Sequence, residues 1–205
     1  MGVGVYLAVL TAFLGAAASL YLGRRLCRLS RLVGDRGLCI GGCALWVYAA
    51  GLLVEALGLL HAAIPLAHGH LALGRPELVE RLLAGRGVLL ASPFYAVSYT
   101  LSAVAIYVSH MEVDGGSRLY AAVPLIVQLY FDFNLVLLAV LAAALAGTLR
   151  YGRPGAAGPI YYGMLILSHA AALLLPYSGA PELVYASTML RGAAPLALLA
   201  PSGGR

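Results

Sequence analysis

The sequence predicts an all-α, polytopic integral membrane protein, a helical bundle of about six transmembrane helices that form one domain over residues 1–205. Three observations predict this: 62% of the residues are hydrophobic, only 10% are charged, and the mean hydropathy is +0.92. Soluble domains are about 45–50% apolar and about 25% charged. Since a membrane helix needs about 20 apolar residues, the apolar content suffices for five or six spans.

Each predicted span is an apolar stretch that charged residues, glycine or proline separate from the next one. The first stretch has no charged residue, and Pro159 suits the first turn of the fifth. The last stretch has the length of a span, although Arg191 lies in its middle and Pro195 interrupts it. The predicted spans cover residues 3–23, 38–63, 87–109, 119–147, 158–176 and 182–200.

The connection between the second and third spans contains a short amphipathic segment at residues 76–84. Pro76 suits a first helical turn, and Leu78, Leu82 and Leu83 give the segment an apolar face. Such a face lies at the surface of a bilayer, so the sequence predicts a short interfacial helix here.

The orientation depends on one basic segment, residues 24–36, between the first two spans. Its arginines include Arg24, Arg25, Arg28 and Arg31. Short basic segments stay in the cytoplasm, which predicts a multi-pass protein of the cell membrane with its N-terminus outside. Six alternating spans would then also end outside. The same arginines are candidates for contact with anionic lipid headgroups or a partner protein. The net charge of +5 does not indicate nucleic-acid binding, because the cluster is short and lies between two spans.

Polar and ionisable side chains inside a bilayer are costly and mark candidate sites. At a rise of about 1.5 Å per residue, Asp132, His169 and Arg191 reach mid-depth in three different spans. We therefore predict a buried ion pair between Asp132 and Arg191, which either fixes helix packing or lines a ligand pocket or ion path. The candidate residues are Tyr99, Gln128, Asp132, Asn134, His169, Arg191 and, nearer the outside, Glu55.

The sequence gives no positive sign of catalysis, since it lacks phosphate-loop, HExxH, GxSxG and dinucleotide-binding patterns. The three cysteines, Cys27, Cys39 and Cys43, are interpreted as packing residues. A disulfide within one helical turn is geometrically poor, and no further metal ligand lies nearby in the sequence. A weak metal site is conceivable at three loosely clustered histidines, which are His61, His68 and His70.

Haem b is the cofactor that His169 would suggest, but axial ligation needs a second histidine at matching depth. The chain resembles the five-span b-type cytochrome subunits of nitrate reductase in its length and in having its predicted N-terminus outside. Those subunits carry two histidines on their last haem-binding span, whereas this chain has only His169 there. The departure argues against membership, and no cofactor is expected.

Three functions fit these patterns. The first is a non-enzymatic membrane module, either sensor-like or an accessory subunit of a larger membrane complex, with a protein partner or a second copy of itself. The second is a small transporter or channel component that uses a polar layer at mid-depth, formed by Tyr99, Asp132, Asn134, His169 and Arg191. The third is electron transfer through haem b.

Overall fold

Six α-helices contain nearly all the residues that the structure, a computed structural model, describes; these residues are 3–67, 76–108, 133–151, 156–178, 180 and 182–199. No strand occurs among them, which confirms the all-α prediction. The helices are α1 (Val3–Val33), α2 (Arg36–Ala67), α3 (Pro76–Val108), α4 (Phe133–Tyr151), α5 (Ala157–Ser178) and α6 (Glu182–Ala197).

Five of these helices, α1 to α5, are long and apolar enough to cross a membrane, so the prediction of a helical membrane bundle is confirmed. The sixth, α6, has 16 residues and is therefore about 24 Å long. This is shorter than a hydrocarbon core of about 30 Å. A sixth span stays a prediction.

Residues 24–36 were expected to form a separate basic loop, but Arg36 begins α2 and most of this segment is part of α1. The helix continues to Val33, and Gly34 ends it with a φ of +78°. The amide of Gly34 donates to the carbonyl of Ser30 at 2.8 Å, as in a glycine C-cap. The carboxylate of Asp35 then accepts from the amide of Gly37 at 2.7 Å, which caps the start of α2.

The predicted interfacial helix at 76–84 is wrong as a separate element, because α3 runs unbroken from Pro76 to Val108. Gly87 does not end a helix there. A Cβ on Gly87 would lie 3.1 Å from the Cα of Gly58 in α2, so this glycine allows the two backbones to approach each other. The fifth span, predicted at 158–176, is confirmed as α5, whereas residues 119–132 of the fourth lie outside the described part.

The first three helices run antiparallel to their neighbours, but α6 runs parallel to α1. Gly23 of α1 faces Gly42 of α2, as antiparallel packing requires. Along α1 and α6 the contacts increase together in residue number: Gly4 lies beside Tyr185, and Gly15 touches Gly192. The end of α6 is therefore at the same side of the bundle as the end of α1.

Helices α3 and α4 also run parallel. The hydroxyl of Tyr107 donates to the carbonyl of Ala143 at 3.3 Å, and its ring lies 6.1 Å from that of Tyr151. At the other end, His169 links Asn134, at the start of α4, to Tyr99. The expectation that alternating spans return the C-terminal span to the side of the N-terminus is therefore wrong.

Small and aromatic residues form the interior, while leucines cover much of the outside. Small residues let membrane helices approach closely, and the tyrosines fill the space between α2, α3 and α5. Buried members of the main cluster include Ala12, Ala16, Ala49, Ala56, Tyr48, Tyr95, Tyr99 and Tyr161, and exposed leucines include Leu10, Leu90, Leu149 and Leu167.

The contact between α1 and α6 generates a first prediction. A Cβ on Gly15 would overlap the carbonyl oxygen of Gly192, which belongs to backbone and cannot rotate away. We expect Gly15→Ala to lower the free energy of unfolding in detergent by about 1–3 kcal/mol through overpacking. The matched control is Gly163→Ala in α5, where nothing lies within 4 Å of the new Cβ. This control should unfold at the same temperature or higher, and equal losses in both variants would contradict the packing role of Gly15.

Candidate functional site

Helical spacing brings a set of polar side chains to the centre of the bundle. On α2, Tyr48 and Glu55 are seven residues apart and share one face. On α6, Thr188 and Arg191 are three apart and also share one face. Glu55 and Arg191 are 0% and 1% exposed, so both charges are taken entirely out of solvent and lipid.

The centre of the site is an ion pair between Glu55 and Arg191. Nη2 of Arg191 lies 2.6 Å from Oε1 of Glu55, and Nε donates to Oε2 at 3.1 Å. Two parallel N–H donors on one carboxylate make the bidentate geometry that is the strongest form of this pair. Such a pair costs much desolvation energy and is tolerated only when its remaining groups are bonded as well.

Two hydroxyl groups donate further hydrogen bonds to the carboxylate of Glu55. Thr188 donates to Oε1 at 2.6 Å, and Tyr95 of α3 donates to Oε2. The carboxylate therefore accepts four hydrogen bonds from three side chains of α3 and α6. This number matches the lone-pair sites of an ionised carboxylate.

The guanidinium of Arg191 is also held on its other sides. Nη1 donates to Oγ of Ser168 in α5 at 3.0 Å, and the guanidinium carbon lies 5.4 Å from the centre of the Tyr95 ring, within the range of a cation–π contact. Ser168 and Ser187 exchange reciprocal bonds with each other's carbonyls at 2.9 and 3.0 Å. The hydroxyl of Tyr48 donates to the carbonyl of Arg191 at 2.8 Å.

A second set of polar side chains lies between this ion pair and α4. The ring of Tyr95 stacks on that of Tyr99 at 6.0 Å with an angle of 11°. The hydroxyl of Tyr99 lies 3.1 Å from Nε2 of His169, and Nδ1 of His169 lies 3.0 Å from Oδ1 of Asn134. Because Oδ1 of Asn134 can only accept a hydrogen bond, Nδ1 of His169 carries the ring proton and donates to it. Nε2 is then unprotonated and accepts from the hydroxyl of Tyr99.

Five of the seven candidate residues meet in this network: Glu55, Tyr99, Asn134, His169 and Arg191. Gln128 and Asp132 lie outside the described residues, so the pairing of Arg191 with Asp132 stays a prediction. In the structure, the carboxylate that binds Arg191 is that of Glu55.

The expectation that Glu55 lies nearer the outside than Arg191 is wrong, because the two side chains are in direct contact. The depth of Arg191 is not the source of the error, since about 15 Å in a core of about 30 Å is mid-depth from either face. The error lies in the depth of Glu55. Helix α2 has 32 residues, more than a bilayer needs, so a depth counted from its first residues is unreliable.

Sequence reasoning missed Tyr48, Tyr95, Thr188 and Ser168. Tyr48 lies seven residues before Glu55, and Tyr95 lies four before Tyr99. This spacing on one face was the available signal.

The remaining candidates lie away from the network. Arg24, Arg25, Arg28 and Arg31 lie in the last turns of α1. His61 is exposed on α2, while His68 and His70 fall outside the described residues. Both ring nitrogens of His169 contact protein groups, so neither is directed toward a haem iron in this arrangement.

Two cavities in the described part of the structure lie away from this network. One of about 490 Å³ opens between α2 and α3 and is lined by apolar residues that include Trp46 and Phe94. Another of about 260 Å³ is lined by residues that include Ser102, Thr148 and Tyr162. The centre of the network is closed by burial, since Glu55, Tyr95 and Thr188 are 0% exposed and Arg191 is 1% exposed.

The helices and their closed polar centre define the class of this chain as a polytopic α-helical membrane protein. Among protein-family models, curated proteins and solved structures, none matches the chain.

The second prediction concerns the ion pair. Arg191→Leu leaves the buried carboxylate of Glu55 unpaired, which should cost about 3–5 kcal/mol of unfolding free energy. The double variant Glu55→Leu/Arg191→Leu should recover most of this loss, because it removes both charges. Unfolding in mixed micelles, followed by circular dichroism, measures all variants.

The matched control is Asp132→Leu in the Arg191→Leu background. It should give no recovery when Glu55 is the partner of Arg191. Recovery with Asp132→Leu, and none with Glu55→Leu, would instead support the pairing predicted from the sequence.

Proposed function

We propose that this protein is a non-enzymatic membrane module, an accessory subunit that works through the lipid-facing surfaces of its helices in a larger membrane assembly. The observation that supports this is the number of protein groups around the Glu55–Arg191 pair. All three guanidinium nitrogens of Arg191 and both oxygens of Glu55 are bonded within the bundle. A site arranged for substrate would leave some of these groups directed into a cavity.

The connections within the described part also support this proposal. Only Gly34 and Asp35 separate α1 from α2, and the described residues contain no domain outside the helices. A signal or a stabilising contact would then have to pass through helix faces in the membrane.

The outer face of α1 is the surface that we assign to a partner. Tyr6, Phe13 and Tyr21 are 62%, 40% and 60% exposed along this helix. Tyrosine and phenylalanine are enriched at the centres of protein interfaces. Helix α1 packs on α2 and α6 with its small residues, among them Gly15 and Gly23, which leaves this aromatic face directed outward.

The third prediction tests this face by photo-crosslinking in native membranes. A photoreactive amino acid at Leu10 or Leu14, which are 54% and 49% exposed on α1, should form adducts with one protein of defined mass. The control is the same amino acid at Leu167 of α5, which is 60% exposed and should react with lipid only. Equal adducts from both helices, or none from α1, would exclude α1 as the docking face.

A small transporter or channel component is the second candidate, and the group of Asn134, His169 and Tyr99 favours it. These side chains form a short chain of hydrogen bonds beside a buried carboxylate, which resembles the proton relays of pumps and transporters. The helix directions argue against an inverted-repeat carrier. α1 to α3 and α4 to α6 run in the same three directions, whereas inverted repeats run in opposite ones.

The fourth prediction separates the two candidates by proton flux into liposomes that contain the purified protein and a pH-sensitive dye. The accessory-subunit proposal expects no flux above that of empty liposomes. The transporter expects flux that Tyr99→Phe abolishes, since this change removes the hydroxyl that contacts His169 and leaves the ion pair intact. Flux that Tyr99→Phe abolishes would overturn the accessory-subunit proposal.

A further inference from the structure

Three cysteine side chains meet where α1 and α2 pack at the arginine-rich end of the bundle. Cys39 and Cys43 are four residues apart on α2, and Cys27 reaches them from α1. The three sulfur atoms all lie within 4.8 Å of one another. Sequence reasoning saw only the pair on α2, because the contact from α1 depends on the packing of two helices.

Gly42 leaves the space that Cys27 needs to contact the two cysteines of α2. A Cβ at Gly42 would lie 2.5 Å from the sulfur of Cys27 and 2.8 Å from the carbonyl oxygen of Gly23. Any other residue at this position would push α1 away from α2. The absence of a side chain there is what lets the sulfur of Cys27 lie against the backbone of α2.

The spacing of the sulfurs suits a metal ion with three thiolate ligands. Metal–sulfur bonds of about 2.3 Å in a trigonal plane place the sulfurs about 4.0 Å apart. Each sulfur then needs to move by less than about 1 Å from the positions described, which side-chain rotation supplies.

The surroundings suit the charge of such a centre. Three adjacent thiolates repel one another, and a bound cation relieves this repulsion. Arg24, Arg28 and Arg31 line a cavity of about 270 Å³ that also contains Cys27 and Trp46. The cavity gives an ion a route to the sulfurs, of which Cys39 is exposed.

We propose that Cys27, Cys39 and Cys43 bind one Cu(I) ion in a three-coordinate thiolate site. Thiolates are soft ligands that suit Cu(I), zinc and iron–sulfur clusters. Structural zinc takes four protein ligands, whereas this cluster offers three in the described part of the chain. Binding releases the thiol protons to solvent, and copper stays in the Cu(I) state, so no oxidant or reductant is needed.

The test is an anaerobic titration of the reduced, full-length protein in detergent with Cu(I), in competition with a chromophoric Cu(I) chelator. We expect one Cu(I) per chain. Cys27→Ser, Cys39→Ser and Cys43→Ser should each weaken binding at least tenfold, and X-ray absorption should show three sulfurs at about 2.3 Å.

A further variant, Gly42→Ala, tests the geometry without removing a ligand and should also weaken binding, because it displaces Cys27. The control is Gly163→Ala, which lies on α5 and should bind as the wild type does. Melting temperatures show which variants fold. Of the three serine variants, Cys39→Ser should disturb folding least, because Cys39 is exposed to solvent or lipid.

Several results would overturn the site: no retained Cu(I), unchanged affinity in Cys27→Ser, coordination by two sulfurs, or displacement of Cu(I) by equimolar Zn(II). The readout is independent of the crosslinking and flux experiments, so failure of the metal site and failure of the accessory-subunit proposal are separate outcomes.

Discussion

The bonded pair of Glu55 and Arg191 is the constraint on which the rest of the bundle depends. Two charges that are removed from water and surrounded by apolar helices are tolerated only when they are paired and hydrogen-bonded. Those partners come from α3, α5 and α6: Tyr95, Ser168 and Thr188. One carboxylate and one guanidinium thus fix the rotation and the axial position of four helices, since a shift of one helix would leave a buried group without its bond.

Glycine and alanine make this convergence sterically possible. Hydrophobic attraction between helices is weak in lipid, and close backbone contact replaces it. Gly15 against Gly192 joins α1 to α6, and Gly58 against Gly87 joins α2 to α3. These contacts set the distances at which the longer side chains of the polar centre can meet. The bundle therefore combines directional polar contacts at its centre with close packing along its helix seams.

Composition and hydropathy were enough to predict the fold class and most helices, because both depend on local apolar runs. Tyr99, Asn134, His169 and Arg191 were predicted as one polar layer, since intramembrane polar residues are rare. The partner of Arg191 could not be obtained in this way. It depends on the faces and the axial positions at which α2 and α6 meet, and no residue pattern encodes them. The sulfur cluster was missed for a related reason, because Cys27 belongs to another helix than Cys39 and Cys43.

The position of Arg191 has a consequence for how the protein is made. Helix α6 is short, and on its own it would carry an arginine into hydrocarbon at a cost of about 2.5–3.5 kcal/mol at the helix centre. Its counter-charge is on α2, which leaves the ribosome much earlier. A spanning α6 would therefore become stable in the bilayer only by docking onto helices that precede it in the chain. Insertion of α6 would then depend on the earlier placement of Glu55, which supplies the counter-charge of Arg191.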